Sequence, residues 1–388
     1  MEMSLYDGRE QTLVKHTILR QYLRRFAYII GSWADAITYI DCFSGPWNAR
    51  SEELADSSFA LALTELRRAR DDLAARREQA GRPRLGLRCF FIEKDEAAYK
   101  RLSEFSQRQT DVEIRTKNAP LEDSIQDIVA FANASRGFSF VFVDPKGWKG
   151  LSIEVIRPLM RIKPAEVLIT LMTSFITRFA GDSRESLQES LDRVFGSAEY
   201  RRRVEGKVGV DRDDALLRCY SDAVREAGEF PYIGNAIVLH PEKDRVHFHL
   251  VYGTRDAKGL EVFKEAEKKA MEVMERSRGR AQQRLRVTRS RQTEMFEASD
   301  LHNIAHYTDL RDRYTRVASD EVHAELSRLG SVPYDRAWEI ALSHPLVWET
   351  DLIAWLGDWV NQGKAELHGL PDRARRPRQG KGHRILWK

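Results

Sequence analysis

The first 255 residues alternate between two hydrophobic periods, one typical of amphipathic helices and one typical of buried strands. Leu13, Leu19 and Phe26 recur at helical spacing, so the pattern predicts an opening helix over residues 10–30. Five short apolar runs then predict five strands: ITYI (37–40), LRCFFI before Glu93, VEIRTK before Asn118, FSFVFV before Asp144, and AEVLITLM. Helices are predicted between them, over about residues 57–79, directly after Glu93, and over 121–134 and 153–160.

Residues 184–228 have the pattern of two helices separated near residues 206–211. Two further strands follow, YIGNAIVLHP and RVHFHLVYGTR, joined by a Pro-Glu-Lys-Asp turn. Because this turn is too short for a crossover helix, the final pair of strands is predicted to be antiparallel. Alternating strands and helices predict an α/β protein with a mostly parallel sheet. Five such units and a final antiparallel hairpin are the strand inventory of a Rossmann-like, class I methyltransferase sheet.

The pattern changes after residue 300. Short helices are predicted over residues 320–329 and 334–342, and a longer amphipathic one over 350–362. KAELHG and GHRILWK follow as strands on either side of an Arg-rich loop, residues 372–382. This order is typical of a winged helix, which can place a helix in a DNA groove. We therefore predict two domains: residues 1–290, with a helical insertion at about 184–228, and residues 291–388 as a winged-helix domain.

Composition narrows the class of protein. The chain has 388 residues, 42% hydrophobic and 31% charged, which is enough for a large globular core. No run of 18 apolar residues is present and residues 1–9 are polar, so neither a membrane span nor a secretory signal is predicted. The three cysteines lie far apart without C-x-x-C spacing, which argues against zinc, clusters and disulfides. We expect a cytoplasmic protein without a metal.

The net charge of +4 conceals two strongly basic stretches. Residues 276–291 contain seven arginines and no acid, and residues 373–388 contain seven lysines or arginines and no acid. Concentrated positive charge is typical of surfaces that bind nucleic acid, because neutralised phosphates release counterions. The alternative is a solvated helix face and a loose tail.

Polar residues follow four of the predicted strands, where parallel strands all end at one edge of the sheet. Asp41 and a turn containing Gly45 follow the first strand, Glu93 the second, Asn118 the third and Asp144 the fourth. Singly, each is typical of a turn or a solvated strand end. Together they fall where open α/β sheets bind ligands: Glu93 can accept ribose hydroxyls and Asn118 can bind an adenine edge. The order matches an S-adenosylmethionine pocket.

The segment after the fourth strand predicts the acceptor side of that pocket. Pro145 removes a backbone donor and fixes φ, so the Asp144 carboxylate and the carbonyl before Pro145 can both accept from a substrate amine. Trp148 offers a stacking face for a flat substrate. The alternative is a tight turn on which Trp148 packs as a lid over the core.

The sequence resembles the three-Cys-motif partner (TcmP) family over about residues 10–270, and its last module resembles the winged-helix domain found at the end of such proteins. The resemblance rests on VKHTILRQYL, TYIDCFSGPW, FFIEKD, FVFVDPKGWKG, EVLITLMTSFITRF and HFHLVYGTRDAKGLEVFKEA. It implies a methyltransferase with Asp41, Phe43 and Gly45 as cofactor loop and Glu93 as ribose ligand. On the target side it implies Asp144, Pro145, Gly147 and Trp148.

The resemblance also implies a partner, a radical-SAM-like protein with a three-cysteine motif. One departure stands at Trp47, where many family members have a second glycine, and a ring there can crowd the cofactor. Three functions stay open: a methyltransferase acting on a nucleic-acid or nucleobase-like amino group, a non-catalytic DNA-binding adaptor with a degenerate methyltransferase fold, and a methyltransferase for a peptide or metabolite.

Other polar residues are given structural roles. His247 and His249 lie two apart on a strand, and His302 and His306 lie four apart on a predicted helix. Neither pair has a nearby cysteine or carboxylate set that would complete a metal site. For Lys15 and the adjacent histidine of the first helix, a surface or helix-packing role is favoured over one at the mouth of the pocket.

Overall fold

A computed structural model of the protein describes residues 3–46, 49–148, 150–179, 184–290, 302–371 and 376–388. Trp47, the departure from the family pattern, lies outside the described residues, as do residue 291 and residues 373–375 of the basic stretches. Among the described residues, no helix is long and apolar enough to span a bilayer.

Seven strands form the main sheet, in the spatial order β3-β2-β1-β4-β5-β7-β6. The first five are parallel, β7 is antiparallel to both of its neighbours, and the predicted antiparallel hairpin is therefore confirmed. The strands are β1 (Ala36–Asp41), β2 (Gly86–Ile92), β3 (Glu113–Lys117), β4 (Phe138–Val143), β5 (Ala165–Leu171), β6 (Tyr232–Leu239) and β7 (Val246–Thr254).

Helices cover both faces of this sheet. They are α1 (Glu10–Gly31), α2 (Ser58–Gln79), α3 (Glu96–Gln107), α4 (Ile125–Asn133), α5 (Ile153–Met160), α6 (Thr173–Phe179), α7 (Glu185–Phe195), α8 (Tyr200–Val204), α9 (Gly209–Gly228) and α10 (Ala257–Ser290). The prediction for residues 184–228 was incomplete, because three helices, α7 to α9, occupy this range. Helices α6 and α10 were not predicted.

Burial on both faces explains why the strands read as continuous apolar runs. Both β1 and β5 are buried over their whole length. Tyr39 of β1 packs on the side of α1, α2 and α10, whereas Ile40 packs with α4, α5 and α9. The edge strand β3 is polar and only partly covered, which suits a strand with one neighbour.

This strand order, with an antiparallel β7, is that of a Rossmann-like class I methyltransferase sheet, as predicted. The chain runs outward from β1 through β2 to β3, then returns to β4 on the other side of β1. The switch point of the topology therefore lies between β1 and β4. In open α/β sheets, ligands bind in the crevice beyond the carboxyl ends of the strands at such a point.

The C-terminal unit is built on a second, three-stranded antiparallel sheet in the order β8-β10-β9. Its elements are α11 (Ala305–Leu329), β8 (Ser331–Pro333), α12 (Tyr334–Ser343), α13 (Glu349–Asn361), β9 (Ala365–His368) and β10 (Arg384–Trp387). Helix α11 starts 15 residues before its predicted start at residue 320, and β8 was not predicted. The unit is bonded to the main sheet, since Asn235 of β6 donates to the Ser343 carbonyl at 2.9 Å.

Candidate active site

Strand register brings three carboxylates to the switch point. Asp41 pairs with Phe91 of β2 and with Phe142 of β4. Glu93 and Asp144 each follow two residues later, beyond the same edge of the sheet, on strands that flank β1 at about 4.8 Å. The polar strand ends thus converge at this edge.

Asp41 is fully buried, and its carboxylate holds the turn that follows β1. Oδ1 accepts from the Phe43 backbone N–H at 3.2 Å, while Oδ2 accepts from the hydroxyls of Ser58 at 2.6 Å and Tyr39 at 3.3 Å. Ser44 completes the turn by donating to the Asp41 carbonyl at 2.8 Å. Ser58, the first residue of α2, was not identified from the sequence. Asp41 therefore shapes the turn after β1, the predicted cofactor loop, through its bonds to the protein.

Burial raises the pKa of Asp41 to about 6. The hydrogen bonds from Ser58 and Phe43 oppose this rise, and the nearby charge of Asp144 adds to it. The two carboxyl groups therefore lie close enough for the charge of one to affect the pKa of the other.

Glu93 follows β2 and Asn118 follows β3, and hydrogen bonds join these two neighbouring strand ends. The Asn118 amide donates to the Glu93 carbonyl at 2.7 Å, and the Glu93 N–H donates to the Lys117 carbonyl at 3.2 Å. The Glu93 side chain is buried and its Oε1 accepts from the Asp95 N–H at 2.7 Å. Asn118 itself is exposed. The two predicted ligand residues therefore lie side by side, with the Glu93 carboxylate fixed by the start of α3.

Asp144 forms an ion pair that reaches across the site. Its Oδ2 accepts from Lys15 Nζ of α1 at 2.5 Å, and the two side chains are only 18% and 12% exposed. The expected surface role for Lys15 was therefore wrong, because the side chain is largely buried and bonds α1 to the loop after β4. The packing role holds for His16, which is buried and bonded to the Tyr6 hydroxyl at 3.0 Å.

The loops after β1 and β4 are packed on one another. Gly150 has φ +93°, and a Cβ there would lie 2.9 Å from the Phe43 ring. A residue with a side chain would therefore both strain the backbone and displace the ring. Phe43 is half-buried in this contact, Gly45 is also partly exposed, and Pro145 is buried.

Trp148 lies at the boundary between the β4 loop and the helical insertion. Its indole N–H donates to the Ser190 hydroxyl of α7 at 3.1 Å, and its ring centroid is 5.3 Å from that of Phe179. The side chain is half-buried against the core. One edge of the ring is thus occupied by the protein, and stacking on a substrate stays a prediction.

Two further polar groups at this edge were not assigned to the site from the sequence. Lys146 follows Pro145, and its pKa is lowered by burial while the charges of Glu93 and Asp95 act to raise it. His249 of β7, which pairs with Leu171 at the end of β5, is fully buried and bonded to the Thr173 hydroxyl at 3.0 Å. Burial lowers the pKa of His249 to about 4, so it is neutral at pH 7.

Comparison with known proteins adds little to this geometry. No family model matches the sequence, and no curated protein matches it. Among solved structures, the chain is similar to an O-methyltransferase from Bacillus cereus in complex with SAH, at 13% identity and a TM-score of 0.29. The match covers 61% of this chain and 80% of that one. It is also similar to the O-methyltransferase TomG from Streptomyces achromogenes in complex with SAM, at 12% identity and a TM-score of 0.29, covering 61% and 79%.

The strand order of the sheet, independent of these partial likenesses, defines the class of fold: a Rossmann-like α/β protein of the class I methyltransferase type. The TcmP family is not shown by the comparisons, and that resemblance remains a prediction.

Proposed function

We propose that the protein is an S-adenosylmethionine-dependent methyltransferase. The observation that carries the proposal is the convergence of Asp41, Glu93 and Asp144 at the switch point of a methyltransferase-type sheet. All three groups carry negative charge, and Glu93 and Asp144 can in addition accept hydrogen bonds from a ligand, which suits one with an ammonium group, a sulfonium and ribose hydroxyls. A dinucleotide phosphate suits this edge poorly, because the turn after β1 lacks the G-x-G-x-x-G pattern.

The residues predicted to contact the cofactor have positions consistent with this proposal. Glu93 would hold the ribose hydroxyls, Asn118 the adenine edge, and Phe43 and Gly45 would line the cofactor loop that Asp41 shapes. When bound, the cofactor supplies an electrophilic methyl group. The contribution of the chain is positioning and electrostatics, which can lower a transfer barrier substantially when reacting atoms are held in line.

The acceptor we propose is an amino group on a nucleic acid or a nucleobase-like ring. Asp144 and the carbonyl before Pro145 would orient the amino nitrogen, and Trp148 would stack on the ring. In the C-terminal unit, the order α11, β8, α12, α13, β9, β10 is compatible with a winged helix. We further propose that the chain works with a radical-SAM-like three-cysteine protein, a partner supported only by the family resemblance.

Calorimetry with the full chain tests the enzymatic proposal. Wild type is expected to bind S-adenosylmethionine and S-adenosylhomocysteine, and Asp144→Ala to keep measurable binding of both. With methyl-labelled cofactor, wild type is expected to label single-stranded oligonucleotides and Asp144→Ala to lose at least about 100-fold in rate, since orienting groups contribute on this scale. Absence of any binding at millimolar cofactor would rule out the enzyme.

A DNA-binding adaptor is the second candidate, and a cluster of exposed basic residues favours it. Arg376, Arg378 and Lys381 are exposed in the segment before β10. By contrast, α13 contains three acidic residues and no basic one, so a wing-like loop and not this helix would contact phosphates. If the protein is an adaptor, a gel-shift series is expected to show DNA affinity that falls steeply with salt concentration. Calorimetry is then expected to show no affinity for the cofactor.

The other basic stretch supports nucleic-acid binding less well. In α10, Arg278 is buried and paired with Asp244 at 2.5 Å and with Glu275 at 3.1 Å. Arg284 is paired with Asp7 at 3.1 Å and also with Glu10. Since these pairs neutralise part of the helix, we place any polyanion contact mainly on the C-terminal unit.

A further inference from the structure

Lys15 is a charged side chain of the covering helix α1 that reaches the proposed acceptor site. It lies 129 residues before Asp144 in the sequence, and the 2.5 Å bond between them connects α1 to the loop after β4. The Lys15 ammonium also lies 5.6 Å from the Phe248 ring centroid of β7. Lys15 therefore sits among three elements of the carboxyl edge: α1, the β4 loop and β7.

This pair differs from the exposed ion pairs of the protein. Surface pairs contribute little because water screens both charges. Lys15 and Asp144 are 12% and 18% exposed, so each charge depends more on the other. The bond occupies Oδ2 of Asp144, and within the described part of the chain no group donates a hydrogen bond to Oδ1. One carboxylate oxygen is thus fixed and the other is left for a ligand.

We propose that Lys15 is a positioning residue that fixes the Asp144 carboxylate and sets the net charge beside the methyl donor, an inference that rests on the proposed function. Oδ1 of Asp144 then accepts an N–H of the acceptor amine and aligns its lone pair. That lone pair forms the new N–C bond as the C–S bond breaks and its electron pair returns to sulfur. The excess proton leaves the nitrogen through Oδ1 to water.

The charge role has a consequence that does not depend on turnover. S-Adenosylmethionine carries a sulfonium charge that S-adenosylhomocysteine lacks. Lys15 repels this charge and Asp144 attracts it. Removing one member of the pair should therefore change the relative affinity for the two ligands, and removing Lys15 or Asp144 should change it in opposite directions.

The test is calorimetry of the full chain with S-adenosylmethionine and, separately, S-adenosylhomocysteine. We expect Lys15→Met to shift the affinity ratio toward S-adenosylmethionine by about 3- to 10-fold, and Asp144→Asn to shift it the other way by a similar factor. Lys15→Arg, which keeps the charge, should retain the wild-type ratio. The double variant should return close to the wild-type ratio.

Arg20→Met is the matched control, because it removes a cation from the same helix whose partner is Glu65 at 3.8 Å. Its ratio should equal that of wild type. Thermal unfolding of each variant identifies any that do not fold, and Lys15→Gln then replaces Lys15→Met. If both ligands bind and loss of Lys15 leaves the ratio unchanged, the inference is overturned alone. If wild type binds neither ligand, the proposed function is overturned and the inference with it.

Discussion

Asp41 combines two opposing demands on a single side chain. Its carboxylate accepts three hydrogen bonds, which stabilise the ionised form, yet it is completely buried, which destabilises that form. Burial is the larger effect, and the pKa rises from 3.8 to about 6. The turn that shapes the proposed cofactor loop is therefore held by a group that titrates near physiological pH.

Because the folded pKa of Asp41 exceeds its unfolded value, the folded state binds this proton more tightly. The resulting stabilisation is complete below pH 4 and is lost as pH rises through about 6. Between pH 4 and 8, wild type should lose up to about 3 kcal/mol of unfolding free energy relative to Asp41→Asn, at about 1.4 kcal/mol per pKa unit. Urea denaturation across this range measures the difference.

Asp127→Asn provides the control for this titration. Asp127 is an exposed carboxyl whose pKa the Lys117 ammonium lowers, so its contribution is present above the unfolded pKa and is lost only as pH falls. The difference between wild type and Asp127→Asn should stay flat above pH 5. A flat profile for Asp41→Asn as well would contradict the raised pKa.

Some residues of the candidate site could be predicted from the sequence and others could not. Asp41, Glu93 and Asp144 were predictable because each ends a run of apolar residues, and parallel strands deliver their ends to one edge. The contacts of Lys15 and Ser58 were not predictable, because their partners lie 129 and 17 residues away in the sequence. These contacts depend on how the helices pack over the carboxyl edge of the sheet. The amphipathic pattern of α1 identifies its buried face but not which polar side chain at the rim meets which carboxylate.

Elements were predicted where their periodicity is strong and their ends are marked. Helix α1 was expected over residues 10–30 and covers Glu10–Gly31. Helix α6 has only seven residues and directly continues the apolar run of β5, so its hydrophobic pattern cannot be separated from the strand. Strand β8 has only three residues, and it is a strand because it pairs with β10, more than 50 residues later in the sequence.

The loop after β4 gives a prediction about a single element. Gly150 and Gly147 both have positive φ, +93° and +117°, but only Gly150 faces the Phe43 ring, at 2.9 Å from an added Cβ. Gly147→Ala should cost about 1–3 kcal/mol of unfolding free energy from backbone strain alone. Gly150→Ala should cost more, because the Phe43 ring must also move.

Phe43→Ala separates the two contributions. Combined with Gly150→Ala it removes the clash, so the double variant should be more stable than the sum of the single losses predicts. Thermal unfolding of the three variants and Gly147→Ala provides the comparison. Equal losses for Gly147→Ala and Gly150→Ala would show that the Phe43 contact does not constrain this loop.

At the scale of the whole molecule, helix α10 joins the two units. Lys264 and Glu267 are buried, at 2% and 0% exposure, and form an ion pair one turn apart. Lys264 Nζ also donates to the His344 carbonyl at 2.7 Å, and Glu267 accepts from the Leu346 N–H at 2.9 Å. Burial lowers the pKa of Lys264 and raises that of Glu267, so each charge persists because of its partner.

This junction was not predictable from the sequence, because α10 and the C-terminal unit each have patterns that are complete by themselves. Its energetic importance can be measured by removing one charge. Lys264→Met leaves Glu267 buried and unpaired, which should cost about 3–5 kcal/mol of unfolding free energy. Replacing both, as Lys264→Met with Glu267→Leu, removes the unpaired charge and should cost less than Lys264→Met alone, although the bonds to the C-terminal unit are lost.

Helix α10 supplies a control with the same geometry. Lys258 and Glu261 form an ion pair at the same i,i+3 spacing, but their side chains are 47% and 34% exposed. Lys258→Met should therefore cost less than about 1 kcal/mol, because solvent screens that pair. Urea denaturation followed by circular dichroism compares the three variants. If Lys264→Met were no more damaging than Lys258→Met, the buried pair would not stabilise the attachment of the C-terminal unit to the main sheet.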